Sequence, residues 1–343
     1  MSKHTKWREE EKITVFSMLA LGMTLNEIAL HIGRTYEGVR RMLRNHRKKS
    51  NQFGVALGDL KELPATEELI KYIEKGQDLM RRFDPRQREV FPEYKTDKWI
   101  GIIFQGDWHF EHYKTDLPAI REDLKAIGAE QDVFYVFNGD VGDWGDIRFK
   151  DFNMPSVMLP IQLRYKMIHY MFKQIPNLLA VVSGCHDDWL KNRGWYDIIE
   201  AIQEKTNESG VPTYYLGYGG AIDFRVGKAD YRMGIYHKFG NESQTNPFHP
   251  NTKYLIAHDN TADIVAIAHR HDITGISYMH YQHKPRILVR SGSHQYITDY
   301  AWKEGFAGAI AKTPMVLLNG KKKEMRACPT YQEGLEVLRM LNK

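Results

Sequence analysis

The sequence predicts an α/β body of catalytic size preceded by a small all-α head. Three observations carry that reading. From residue 98 onward, short apolar, β-branched runs recur, each closely followed by Gly, Asp, His or Cys. Residues 1–50 instead space their apolar side chains at helical intervals. Charge divides in the same place: residues 1–50 hold 11 Lys+Arg against 5 Asp+Glu, whereas the remainder holds 37 against 38.

The chain has 343 residues, too many for one small binding module and enough for a large domain with an accessory piece. It is 42% hydrophobic and 27% charged, a balance that excludes a disordered or fibrous protein. The mean hydropathy of -0.52 agrees. No run approaches the roughly 18 apolar residues that cross a bilayer, so no membrane partner is expected. The charged opening MSKHTKWREEEK reads against export. Cys185 and Cys328 are the only cysteines, which removes a disulfide framework and suits the cytoplasm.

The elements follow in order. Trp7, Ile13, Phe16, Leu19 and Ala20 predict a first helix, stopped by Gly22. Thr24 and Glu27 form a capping-box pattern that opens a second helix with Leu25, Ile28, Ala29 and Ile32, ended by Gly33. Thr35 caps a third, with Val39, Met42 and Leu43 inward and Arg40, Arg44 and Arg47 on the opposite stripe. Three short helices with an Arg-rich third resemble the helix-turn-helix heads of resolvases, sigma factors and Myb-like domains. That resemblance implies DNA as a partner, with Arg40, Arg44 and Arg47 reaching bases or phosphates. A protein-binding module with a merely solvated Arg stripe is the alternative.

Residues 51–97 read as a linker with one helix over Thr66–Phe83, and Asp84–Lys98 as connection. The strand-like runs are Ile100–Phe104, Val133–Phe137, Leu178–Val182, Met233–Tyr236, Ile264–Ala268 and Ile287–Val289. Runs without alternation suggest strands covered on both faces. Their carboxyl ends surround one crevice, the ligand site of open α/β sheets. Asp107, His109, Asp140, Cys185, His186, His237, His269 and His271 gather there, and such side chains hold zinc or a first-row transition metal. Residues 319–343 read as a tail with a helix from about Thr330.

Asp107-x-His109, Gly139-Asp140-x-x-Asp143, Gly184-Cys185-His186-Asp187, His237 and His269-x-His271 resemble, in order, the motifs of the calcineurin-like metallophosphoesterases. Ser291-Gly292-Ser293 is similar to the strand-end Gly-Ser that closes that domain. The resemblance covers residues 98–318 and implies a two-sheet sandwich flanked by helices. It also implies two divalent ions, manganese or zinc first, iron or magnesium second. Asp107, His109 and His271 would bind one ion, and His237, His269 and Cys185 the other. Asp140 would bridge them. His186 would stand beside the scissile phosphate as a catalytic group, with Asp143 and Asp187 orienting imidazoles. Cys185 stands where the family carries Asn, which would raise preference for zinc. Ala268 stands where the family prefers Gly, another small residue.

The implied chemistry is phosphoester hydrolysis by a hydroxide held between two ions. With the basic head it implies a DNA phosphodiesterase. A head fused to such a domain also resembles proteins of tailed bacteriophages, which would place it in the bacterial host cytoplasm. The alternatives are a phosphomonoesterase or cyclic-nucleotide phosphodiesterase with the head serving localisation, or a DNA-binding regulator with an inactive phosphoesterase scaffold. His112, His249, His258 and His294 can line the cleft, His294 foremost because it follows a strand end. Arg270 is expected to point away from the metals, between two ligands. Trp108, Trp144 and Trp189 either stack bases or pack.

Overall fold

The computed structural model describes residues 7–20, 23–53, 66–82, 88–144, 160–191, 197–207, 212–243, 245–305, 308 and 312–343, with some helix side chains left aside. The chain divides into two compact units, Met1–Phe83 and Asp84–Lys343. No described helix is long and apolar enough to cross a membrane.

In the first unit, α1 (Glu9–Ala20), α2 (Leu25–His31) and α3 (Tyr36–Phe53) enclose Val15, Ile28, Ala29, Val39 and Met42. The capping box forms: Thr24 accepts from the Glu27 amide, and Glu27 accepts from the Thr24 amide at 2.7 Å. Gly33, at φ 66°, takes the left-handed turn between α2 and α3. Arg34 follows it and grips both carboxylate oxygens of Glu11 at 2.9 Å, tying that corner to α1. Arg40 and Arg44 are exposed on α3; the side chain of Arg47 lies outside the described residues. α3 runs into the segment read as linker. A further helix, α4 (Thr66–Arg82), carries exposed Ile70, Tyr72 and Ile73.

The second unit holds two sheets. One is built in the order β13 (Met325–Cys328), β12 (Met315–Asn319), β3 (Trp99–Gln105), β4 (Val133–Phe137), β5 (Leu178–Val181), β6 (Tyr214–Tyr215), and β3 to β6 are parallel. The other runs β1 (Glu89–Val90), β7 (Gly219–Val226), β8 (Ala229–Tyr236), β9 (Ile264–Ile267), β11 (Lys284–Arg290), β10 (Gly275–Tyr281), with β2 (Glu93–Tyr94) also on β7. β8, β9 and β11 are mutually parallel.

Facing side chains of the two sheets, among them Ile102, Phe104, Val136, Phe224, Ile235 and Val289, make the central core. The outer face of the first sheet packs on α5 (Leu117–Gly128), α6 (Ile161–Phe172), α8 (Ile198–Asn207) and α11 (Tyr331–Leu341) through residues such as Leu124, Phe172, Ile202 and Leu338. The outer face of the second packs on α9 (His249–Ala257) through Tyr254 and Leu255. Two-faced burial explains the unbroken apolar strands. A mixed α/β two-sheet sandwich flanked by helices is what the sequence predicts.

Several segments differ from their sequence reading: β6, β7, β10 and β12 lie outside the six strand-like runs, and the stretches read as connection and tail also carry strands. Residues 89–94, read as connection, supply β1 and β2, and the Gly227 amide donates to the Tyr94 carbonyl at 2.9 Å. The tail forms the helix expected from about Thr330 as α11 but adds β13, and the Asn342 side chain exchanges bonds of 2.8 and 2.9 Å with the Trp99 backbone. Short, charged edge strands leave almost no apolar pattern to read.

Candidate metal centre

The strand-end loops of both sheets converge. Asp107 and His109 follow β3, and Asp140 and Asp143 follow β4. Cys185, His186 and Asp187 open α7 (Cys185–Lys191) after β5. His237 follows β8, and His269 and His271 follow β9. Asp107, His109, Asp140 and His237 form a buried floor; Cys185, His186, His269 and His271 form a half-buried rim.

The backbone is unusual at these positions. Asp107, His109, Asp140 and His269 have φ of 50°, 41°, 55° and 74°. Among described non-glycine residues, the remaining positive values are at Gln282 and His283, in the turn joining β10 to β11. L-residues rarely adopt this region, and such strain persists where surrounding structure enforces it. Here neighbouring loops enforce it. The Asp107 amide donates to Gly139 at 2.8 Å, the His269 amide to Asp107 Oδ2 at 2.9 Å, and Ser293 Oγ to the Asp107 carbonyl at 2.8 Å.

Ligand-type atoms collect in four overlapping groups, each within 4.8 Å: Asp107, His109 and His271; Cys185, His237 and His269; His109, Asp140 and His186; Asp107, Asp140 and His237. His271 Nε2 lies 3.2 Å from His109 Nε2 and 3.4 Å from Asp107 Oδ1. His269 Nδ1 lies 3.2 Å from His237 Nε2 and 3.8 Å from Cys185 Sγ. Asp140 Oδ2 sits between the sets, 3.2 Å from His237 Nε2 and 3.9 Å from His109 Nε2. His237 donates Nδ1–H to the Asn138 carbonyl at 2.9 Å, which turns Nε2 into the crevice.

These residues suit divalent ions. Asp107 Oδ1 is buried without a hydrogen-bond partner among the described residues. The ion-pair partners of Asp107 and Asp140 there are imidazoles, with no Lys or Arg. Buried carboxylates so placed call for a cation. Burial, with His186 and His271 alongside, pushes His109 down to about 3, and burial with His237 does the same to His269. Both imidazoles therefore offer lone pairs. Burial disfavours charge on His237, yet Asp140 outweighs it and raises that imidazole well above its ordinary value.

Around this cluster stands a hydrogen-bonded shell. His186 donates Nδ1–H to Asp143 Oδ1 at 2.8 Å, so Asp143 orients an imidazole. Burial works against the His186 cation, but Asp140 and Asp143 hold its pKa up at about 9. Asp187 does otherwise than the sequence reading had it. Its oxygens accept from the Asp140 amide at 2.8 Å, the Gly184 amide at 2.9 Å and Trp144 Nε1 at 3.0 Å, so it orients two loops rather than an imidazole. Burial and the Asp140 charge push it up to about 7. Sequence reasoning missed Glu111, which is buried, accepts from the Asp143 amide at 2.9 Å and pairs with Arg164 at 3.1 Å. It also missed Asn138, whose carbonyl fixes His237.

Other candidates fall elsewhere. His294 is buried against Asp123 Oδ2 at 3.0 Å and contacts Gln105, so it is a core residue rather than a cleft residue. His258 packs beside Tyr254 and Phe239, and His249 is exposed at the start of α9. His112 stacks on Tyr113, with Nε2 3.9 Å from Asp143. Arg270 turns to Asp272. Trp108 packs on Phe137 and Phe172, and Trp144 near Tyr165. Trp189 covers one face of His186, ring centroids 3.9 Å apart.

No protein-family model and no curated protein matches the chain. Among solved structures it is similar to a protein serine/threonine phosphatase from Saccharomyces cerevisiae with similarity to human phosphatase PP5. That match has 13% identity and a TM-score of 0.29, covering 78% of this chain and 89% of the other. The functional reading rests on the site's own geometry.

Proposed function

We propose that the chain is a metal-dependent phosphoester hydrolase acting on DNA phosphodiesters. One observation carries the chemistry: two sets of ligand-type side chains, one with Asp107, His109 and His271, the other with Cys185, His237 and His269, meet at Asp140. Divalent ions held there would supply Lewis-acid charge to a phosphoryl group and activate water. Manganese and zinc suit the donors best, with iron or magnesium as alternatives.

The chain's own residues supply the rest. Asp140 lends Oδ2 to both sets while its Oδ1 accepts from the His186 amide at 2.8 Å, which fixes the carboxylate plane. With Nδ1–H committed to Asp143, His186 keeps Nε2 to protonate the leaving oxygen. Asp143 is steadied by Glu111, which in turn leans on Arg164. Trp189 shields one face of the His186 ring from water. Asp187 pins the β4 and β5 loops together, so Asp140 and Cys185 keep their spacing.

Substrate class follows from charge. Exposed Arg40 and Arg44 lie on a helix of the basic N-terminal unit, and each arginine placed on a phosphate releases counterions. A covalent link between such a unit and the hydrolytic crevice raises the local concentration of DNA. The test is manganese-supported cleavage of end-labelled single- and double-stranded DNA, with Asp140→Asn as the blank. Cleavage by the wild type alone is the expected result. Hydrolysis of a small phosphoester without any cut in DNA would move the substrate to a nucleotide or phosphoprotein.

A further inference from the structure

We infer that α4 is a self-association helix: it pairs, antiparallel and apolar face to apolar face, with the α4 of a second copy of this chain. Pairing of this kind is independent of the metal-dependent reading above.

α4 is too weak to stand alone in water. Its 17 residues are close to the length at which isolated helices are marginal even when rich in alanine. Ile70, Tyr72, Ile73 and Gly76 all form helix less readily than alanine does. Such a helix draws its stability from packing one face. Yet every residue from 70 to 78 is exposed, with Tyr72 at 78% and Ile73 at 56%, and no described residue covers that face.

The face is continuous. Helical spacing places Leu69, Ile70, Tyr72, Ile73, Leu79 and Met80 on one half of the cylinder and the charged residues on the other. Leu69, Ile73 and Met80 follow the alternating spacing of a helix-pair seam.

Charge identifies the occupant. Thr66–Glu74 carries Glu67, Glu68 and Glu74 against Lys71, a net of -2. Lys75–Arg82 carries Lys75, Arg81 and Arg82 against Asp78, a net of +2. Laid antiparallel, the acidic half of each copy meets the basic half of the other, at both ends of one two-fold contact. Laid parallel, like halves repel. Exposed charges of this kind set orientation, while the apolar face supplies the affinity. Over its whole length the polar side has no net charge, which gives an anionic lipid surface no hold. Where DNA is the substrate, a pair carries two basic N-terminal units and gains avidity without a new contact.

Sedimentation velocity of the full-length chain at micromolar concentration tests the pairing. A particle of twice 40.0 kDa is expected. Ile70→Glu with Ile73→Glu should sediment as the 40.0 kDa monomer. Both side chains are exposed, so the folded cores are untouched, which circular dichroism checks. Glu67→Arg with Glu68→Arg makes both halves basic and should raise the dimer dissociation constant roughly tenfold or more. Adding Arg81→Glu and Arg82→Glu restores opposite halves and should return it to the wild-type value. In a parallel pair the first exchange would change nothing, because like halves face each other either way. A monomeric wild type, a dimer that survives Ile70→Glu with Ile73→Glu, or an end exchange without effect would overturn the inference.

Discussion

Gly184→Ala is the most informative single change, because it tests whether the β4 and β5 loops hold Asp140 where the centre needs it. A Cβ built at Gly184 would lie 2.0 Å from Asp140 Oδ1 and 2.2 Å from its backbone nitrogen. Backbone cannot yield cheaply there. Gly139 faces Gly184 across the same gap, and a Cβ on Gly139 would itself lie 2.6 Å from the Gly184 nitrogen. Asp187 further clamps the Asp140 and Gly184 amides together. Relief requires Asp140 to move by about 1 Å, a displacement that costs a reactive site on the order of 10²-fold. In free energy that is about 2.7 kcal/mol on the reaction barrier. Overpacking adds about 1–3 kcal/mol of lost stability. Calorimetric metal titration, urea denaturation and turnover of a small chromogenic phosphodiester read metal binding, stability and the barrier separately. A variant with wild-type metal content and wild-type turnover would refute the claim that Asp140 is positioned by this contact.

Asp143→Asn should keep both metal sites and cut turnover by roughly 10²–10⁴-fold, because His186 loses the carboxylate that fixes its Nδ1–H; unchanged turnover would remove His186 from the proposed chemistry. Arg40→Ala with Arg44→Ala should weaken DNA binding, flatten its dependence on salt and spare the small phosphodiester. Equal loss on both substrates would mean that the basic helix acts on something other than DNA. Gly76→Ala, in α4 with nothing within 4 Å of the added carbon, should be neutral or stabilise by up to about 1 kcal/mol. A destabilised Gly76→Ala chain would reveal a neighbour that the contact geometry does not show.

Much of the crevice was legible because its side chains follow apolar runs directly. Ile100–Phe104 announces Asp107 and His109, and Ile264–Ala268 announces His269 and His271, since a buried parallel strand must deliver its next residues to one edge. The shell was not legible in the same way. Glu111 reaches Asp143 only because two loops return to the same place, and Arg164 joins them from a helix 53 residues further along the chain. His294 also follows a strand, yet it turns inward to Asp123 on α5, a choice made by packing rather than by pattern. Asp187 was recognised as a supporting carboxylate, but its partners are backbone amides and an indole, which no residue spacing specifies. β1 and β2, two residues each and rich in Glu, offered no periodicity to detect.

The most direct test of the central claim compares wild type and Asp140→Asn, both stripped of metal and then titrated with manganese or zinc. Metal content and hydrolysis of a small phosphodiester are followed together. Two ions bound per wild-type chain, weakened binding in the variant, and hydrolysis by the metal-loaded wild type alone are expected. Hydrolysis by the metal-free chain, or by Asp140→Asn at the wild-type rate, would contradict it.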